Sequence, residues 1–414
     1  MRTRLDGAEK PCGCPLTAPK RLLPCCPITG RRDCFVLPLR IGNPLKETSL
    51  AFLGPVSRWV VLAAGCLLAA ALLAELAVRR AAPRVCDLLQ WRDWECQQKV
   101  AAIDALAARG GASIVMIGSS PTNAAFDSHR FTQMNRLERP AFNAALNAAS
   151  LRTLELWARD VVLPRLRPDV LILGLNSSEL SDHNLVGERG YRQFVESRGW
   201  RALHPEASIG RRWLLWAEDR SFLVRYRHFF REPGGWGMRA PLRVRLARSM
   251  RDPKRLFRKS RGRQVEVTPL GMLHALSVFR GVPYGHTERV LGTWKRIVVD
   301  YEVGGHELAA LARLADATRD AGVSFVMVLM PVTQDWIDIH PHGREDFDRF
   351  RRVLDTFARD HGVPLIDLMP TIPSRDGYAD AVHRNDEGRR AFTEMLSSHA
   401  GSYMPARARS RADG

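Results

Sequence analysis

The stretch "SIVMIGSSPTNAAF", residues 113–126, sets an uninterrupted apolar run against one glycine and two serines. A short apolar run without polar alternation predicts a strand buried on both faces, as in a parallel sheet covered on each side by helices. Runs of the same kind recur as "AFNAAL" (141–146), "DVLILGL" (169–175), "VSFVMVLM" (323–330) and "VPLIDL" (363–368). Amphipathic stretches at 87–109, 149–166, 304–321, 343–361 and 386–399 lie around and between them. Alternation of this kind implies an α/β fold in three layers, αβα, around a parallel sheet.

Outward from this core the chain changes character. Residues 59–78, "WVVLAAGCLLAAALLAELAV", hold a single charge, Glu75, over a length that crosses a hydrocarbon core of about 30 Å. They predict a transmembrane helix over 57–79. Ten Lys or Arg precede it, from Arg2 to Arg58, and only Arg79, Arg80, Arg84 and Arg92 follow closely. That asymmetry keeps residues 1–56 in the cytoplasm as a basic, disordered leader and exports the remainder from an inner membrane. A secretory signal would have a shorter apolar core and a small-residue cleavage site, and Ala64-Gly65-Cys66 places its cysteine mid-span. The net charge of +18 over 414 residues would suggest nucleic acid in a cytosolic protein, but the expected topology argues against that partner.

Cysteine usage follows the same division. Cys12, Cys14, Cys25, Cys26 and Cys34 crowd the leader without the spacing of a zinc site, and Cys86 and Cys96 could bridge in an oxidising compartment. The αβα domain is expected over 80–180 and 301–400, with a basic tail at 401–414. Between its halves, 181–300 reads as an inserted helical subdomain. It holds Tyr191, Trp200, Trp213, Trp216, Tyr226 and Trp236, and residues 211–263 carry 17 Arg or Lys against four acids. A basic, aromatic helical face is either solvated or meets anionic headgroups or an anionic polymer at the membrane.

In an open parallel sheet, functional side chains gather where strands end. Each polar cluster falls there: Gly118-Ser119-Ser120, "NAALNAAS" (143–150), "GLNSSE" (174–179) and "DAVHRNDEG" (380–388). These blocks resemble those of the SGNH, or GDSL-like, hydrolase superfamily. In that family a GDS serine is the nucleophile, a Gly and the Asn of a GxND block help bind the oxyanion, and a terminal DxxH block supplies Asp and His. The resemblance implies Ser120 as nucleophile, Asp380 and His383 as its partners, and Ser120, Asn176 and Ala148 as oxyanion donors. Ser119 stands where the family has Asp, as in the membrane-anchored branch of alginate acetylation and teichoic acid D-alanylation proteins. The GxND block ends in Ser177, and Asn147-Ala148 stands where a Gly is expected.

The residue types suit acyl transfer. A serine hydroxyl attacks only when a base removes its proton, and His does so near neutral pH once a carboxylate fixes its tautomer. Asn385 or Asp386 would cap the last helix and steady the His383 loop. The expected function is hydrolysis or transfer of an acyl ester, O-acetyl or similar, on a cell-envelope carbohydrate or polymer, with a membrane-bound O-acyltransferase as a partner. The alternative is a catalytically silent module that binds such a polymer or scaffolds an acylation complex. No cofactor and no metal are expected: His340 and His342 lack a carboxylate cluster, and Glu179 and Asp182 read as solvated loop acids rather than a glycosidase pair.

Overall fold

The computed structural model describes residues 55–85, 90–227, 267–273, 288–369 and 375–400, together with Tyr403. Five strands form where the apolar runs predict them: β1 (Ile114–Ile117), β2 (Ala141–Asn143), β3 (Val170–Leu175), β4 (Ser324–Leu329) and β5 (Leu365–Asp367). They make one parallel sheet in the order β2-β1-β3-β4-β5. The chain winds outward from β1 to β2, then re-enters on the other side of β1 at β3. This reversal makes the carboxyl edge at β1 and β3 the topological switch point, where functional loops of such sheets gather.

Along the strands the two faces alternate, as a pleated backbone requires. Ile114, Met116, Val170, Ile172, Val326 and Val328 face one layer with Phe126, Phe131, Phe392 and Leu396. That layer is α3 (Ser120–Ala125), α4 (Ser128–Met134) and the C-terminal helix, numbered α15 below (Asp386–Ala400). Val115, Ile117, Leu171, Leu173, Met327 and Leu329 face the opposite layer with Ile103, Leu154, Leu311, Leu314, Phe347 and Phe350. This second layer is α2 (Trp94–Ala107), α5 (Leu151–Trp157), α6 (Leu163–Leu166), and the helices His306–Asp320 (α12) and Arg344–His361 (α14). Complete burial of each such side chain contributes about 1.5–3 kcal/mol.

The segment after β3 begins with α7 (Leu185–Val195), α8 (Arg198–Leu203), α9 (Ile209–Arg220) and α10 (Phe222–Arg225). Phe194 and Trp200 pack ring against ring at 6.5 Å, and Phe194 meets Trp91 at 6.0 Å and Trp157 at 6.3 Å. α7 and α8 are thereby part of the principal core rather than a body apart from it. Trp236 and the rest of the basic stretch from 228 to 263 lie outside the described residues. Toward the second half of the domain stand α11 (Glu288–Lys295) and α13 (Gln334–Asp338).

At the N-terminal end α1 (Pro55–Val85) contains the one helix stretch among the described residues long and apolar enough to cross a membrane, Arg58–Ala81. The chain divides into two units, Met1–Ala64 and Gly65–Gly414, and the described residues of the first are the opening turns of α1. Cys66 is exposed and Cys96 is a buried free thiol. Cys86 and the five cysteines of the leader lie outside the described residues.

Candidate active site

The loop leaving β1 is shaped by two glycines. Gly118 takes φ +152°, and a Cβ there would stand 2.3 Å from Thr122 Oγ1 and 2.8 Å from the Gly174 carbonyl. At Gly174, near the end of β3, a Cβ would also stand 2.3 Å from Thr122 Oγ1. Both side chains are absent so that the two strand ends can close on Thr122. Ser119 then caps α3 in extended backbone without using its side chain, and Ser120 and Pro121 open the helix. Proline is at no disadvantage in a first turn, where backbone N–H groups have no helical partner, and the same rule leaves the Ser120 N–H available. Ser120 is partly exposed and Ser119 is buried.

The hydroxyl of Ser119 donates to Glu179 Oε1 in a very short contact. Glu179, expected in the sequence to be a solvated acid, is 1 % exposed. Its other oxygen accepts the Asn176 backbone N–H at 2.7 Å, and Oε1 also accepts from Asn176 Nδ2 at 3.2 Å. Asn176 Oδ1 in turn accepts from the Ser178 N–H and hydroxyl at 2.8 and 2.7 Å, which completes a capping box around Ser177–Glu179. The amide is thereby fixed in one orientation, with one of its two Nδ2 hydrogens committed. Burial raises the Glu179 carboxyl to about 7, although the bonds from Ser119 and Asn176 favour its charged form. Asp182 does not join Glu179; its carboxylate accepts the Gly305 and Glu307 N–H groups at 2.7 and 2.9 Å.

Ser177 is held by His340, one of the two histidines weighed above for a metal, and by Trp336. His340 is buried, its Nδ1 2.9 Å from the Trp336 carbonyl and its Nε2 2.9 Å from Ser177 Oγ. Trp336 Nε1 donates to the same hydroxyl at 2.8 Å. Nδ1 facing a carbonyl carries the proton, so Nε2 accepts from Ser177, and burial lowers the His340 pKa and keeps the ring neutral. His342 turns instead to Asp346 at 3.2 Å. No group of three His, Cys, Asp or Glu among the described residues could hold a metal.

After β5 the chain reaches Asp380 and His383. Asp380 Oδ2 lies 2.8 Å from His383 Nδ1, while Oδ1 accepts the Val382 and His383 N–H groups at 2.9 and 2.8 Å. Burial opposes ionisation of Asp380, but the His383 ring and those two amides outweigh it and hold the carboxyl below its ordinary value. Nδ1 therefore carries a proton and Nε2 is the basic nitrogen. Asn385 caps α15, accepting the Gly388 N–H at 2.9 Å, so the helix pins the loop as its sequence suggests. Thr333 Oγ1 donates to the Ala381 carbonyl at 2.9 Å, and Trp294 packs 5.2 Å from the His383 ring and 6.1 Å from Trp336. These contacts join the His383 loop to the Ser177 block.

The loop after β2 carries the remaining expected donor. Ala148 is exposed and takes φ +54°, the left-handed conformation that the sequence made a concern for a residue with a Cβ. The Asn147 N–H is directed to Glu95 at 3.4 Å, which leaves Ala148 as the donor candidate in this loop. Beneath the loop lies a charged cluster that sequence reasoning missed. Lys99 has no exposed surface; its Nζ donates to Asn123 Oδ1 at 3.1 Å, to the Asn143 carbonyl at 3.2 Å and to the Ala145 carbonyl. Glu95 stands 3.7 Å from Lys99 and accepts from Asn123 Nδ2 at 2.6 Å, and Arg92 donates to the Asn147 carbonyl at 2.6 Å. Burial pulls Lys99 down to about 8 against the attraction of Glu95. Glu95 and Lys99, four residues apart, share one face of α2, which was the available signal.

No family model and no curated protein matches the chain. Several solved structures are similar to it over nearly all of their own length. A GDSL-like lipase from Bacteroides thetaiotaomicron is 9 % identical, covering 73 % of this chain and 99 % of its own, with a TM-score of 0.32. An acetyl xylan esterase is 12 % identical over 69 % and 98 %, TM-score 0.32. An inhibitor-bound aryl esterase from M. smegmatis is 11 % identical over 70 % and 99 %, TM-score 0.31.

Proposed function

We propose that this chain is a membrane-anchored serine esterase or acyltransferase of SGNH type, acting on O-acyl esters, O-acetyl foremost, of a cell-envelope carbohydrate or polymer. The observation that carries the reading is the Asp380–His383 pair, bonded at 2.8 Å on a loop tied to the strand edge where Ser120 opens its helix. In this reading Ser120 Oγ attacks the ester carbonyl carbon while His383 Nε2 takes its proton. The carbonyl oxygen becomes an oxyanion, met by the Ser120 N–H, the uncommitted Asn176 Nδ2 hydrogen and the Ala148 N–H; one such donor is worth about 3–4 kcal/mol of barrier. Collapse breaks the ester bond, and His383 returns the proton to the leaving alcohol. Water or a sugar hydroxyl then attacks the acyl-serine by the same steps in reverse, giving hydrolysis or transfer.

Glu179 takes a defined part in this reading. The resembled family carries an Asp beside its nucleophile and another after its Asn; here both positions are serines, and one buried carboxyl three residues after Asn176 serves the Asn and the Ser119 hydroxyl together. It is a positioning residue, holding Asn176 toward the oxyanion.

The apolar helix α1 and the excess of basic residues before it support a single-pass inner-membrane protein with its N-terminus inside and the αβα domain exported. A membrane-bound O-acyltransferase is the fitting partner for a transfer reaction. A second reading, a silent module that binds the polymer, draws on Ala148 and Ser177, which stand where the resembled family has Gly and Asp. A fluorophosphonate probe added to the full chain in detergent decides between them. Labelling that disappears in Ser120→Ala supports the enzyme; no labelling of the wild type supports the silent module.

A further inference from the structure

Glu75 is the one charge in the apolar stretch of α1, and a carboxylate at that depth needs partners. It accepts from the Ser221 hydroxyl at 2.9 Å and from the Phe222 and Leu223 N–H groups at 2.8 and 3.0 Å. One turn later, Arg79 stands 3.6 Å from Glu75 and 5.1 Å from the centre of the Phe222 ring. The α9–α10 segment is therefore fastened to α1 at the level of Glu75.

α9 turns one face inward by a buried ion pair, Glu218 with Arg201 at 2.5 Å, joined by Arg227. Its other face carries Ile209, Trp213 and Trp216, spaced i, i+4, i+7 and exposed by 65, 61 and 48 %. The two indoles pack edge to face at 5.2 Å, Arg220 stacks over Trp216 at 4.4 Å, and Arg212 and Arg220 flank the row in the open. An aromatic ridge edged by arginines is unfavourable toward water but suits the boundary between headgroups and acyl chains. There indole rings sit half in each phase, and guanidinium groups meet phosphate.

We propose that α9 lies along the surface of the bilayer that α1 crosses, with Ile209, Trp213 and Trp216 reaching the acyl boundary and Arg212 and Arg220 on lipid phosphates. The occupant is phospholipid because α10, which follows α9 directly, is fastened to the apolar helix at Glu75 and Arg79. Since charged α9 and α10 stand outside hydrocarbon, Glu75 lies toward the end of the span nearest them. This inference rests on α1 spanning a membrane, and not on the enzyme reading.

The test uses the full chain in nanodiscs of phosphatidylcholine and phosphatidylglycerol, with and without bromine on the acyl chains. Tryptophan emission is compared for wild type, Trp213→Phe/Trp216→Phe and Trp59→Phe, all checked for unchanged thermal unfolding. The emission lost in the double variant should be quenched by half or more in brominated discs and shielded from iodide. Quenching of that emission by iodide but not by bromolipid overturns the inference. The Trp59 component separates the two levels: quenched alone, it keeps the span and refutes the interfacial α9; if neither component responds, the span itself fails.

Discussion

Glu179→Gln replaces a buried carboxyl by an amide of the same shape, and its effect on stability should depend on pH in a calculable way. Folded, the Glu179 carboxyl titrates at about 7, against an ordinary 4.5. Folding thus takes up a proton between those values. The stabilisation tied to the protonated form is fully present below 4.5 and is lost as pH rises through 7. At about 1.4 kcal/mol per pH unit the whole difference is about 3 kcal/mol, of which about 2 kcal/mol falls between pH 5.5 and 8.5. The glutamine variant does not titrate, so its melting temperature should gain on that of wild type by about 4 °C over this interval. Thermal unfolding of both proteins in the same detergent, followed by intrinsic fluorescence at the two pH values, measures the gap directly. A gap that stays constant would mean that Glu179 stays ionised throughout, and the account of it as a buried carboxyl titrating near 7 would be wrong.

Ser120→Ala and His383→Ala should each remove nearly all activity on a small acetyl ester, with the double variant little worse, because a base without its nucleophile has nothing to activate. Ser119→Ala should keep most of the rate while raising the Glu179 pKa, since it removes a bond that favours the carboxylate; the pH dependence of unfolding reads this shift. Lys99→Met leaves Glu95 buried without its counter-charge and three acceptors without a donor, and should cost about 3 kcal/mol by denaturant titration. Ala148→Gly relieves a left-handed backbone and should stabilise by about 1 kcal/mol in the same assay.

The strands were legible because those buried on both faces in a parallel sheet leave unbroken apolar runs, which "VLILGL" shows as clearly as any. Asp380 and His383 were legible because their partnership is local, three residues apart on one loop. Glu179 was not, since an acid beside two serines in a loop has the composition of solvated surface. Its burial comes from Ser119, sixty residues away, although the Asn-Ser-Ser-Glu order did hold the pattern of a capping box. Lys99 was hidden for a similar reason: its partners are carbonyls of the loop after β2, and main-chain acceptors leave no mark in a sequence. Ser177 and His340 meet only through the fold, so each looked like an isolated polar residue.

The pairing of β3 with β4 has a consequence for how the chain is made. Their six residue pairs run from Val170–Ser324 to Leu175–Leu329, so the middle of the sheet joins segments separated by about 150 residues. At a synthesis rate of about 5–20 residues per second, β3 is complete roughly 7–30 s before β4 exists, with β1 and β2 made earlier still. Through that interval the wholly apolar β3 is an open edge with unpaired backbone groups, the condition in which strands recruit one another between chains. Chains truncated before Ser324 should accordingly self-associate rather than fold, and the intact protein depends on whatever shields that edge until the segment from Ser324 onward arrives.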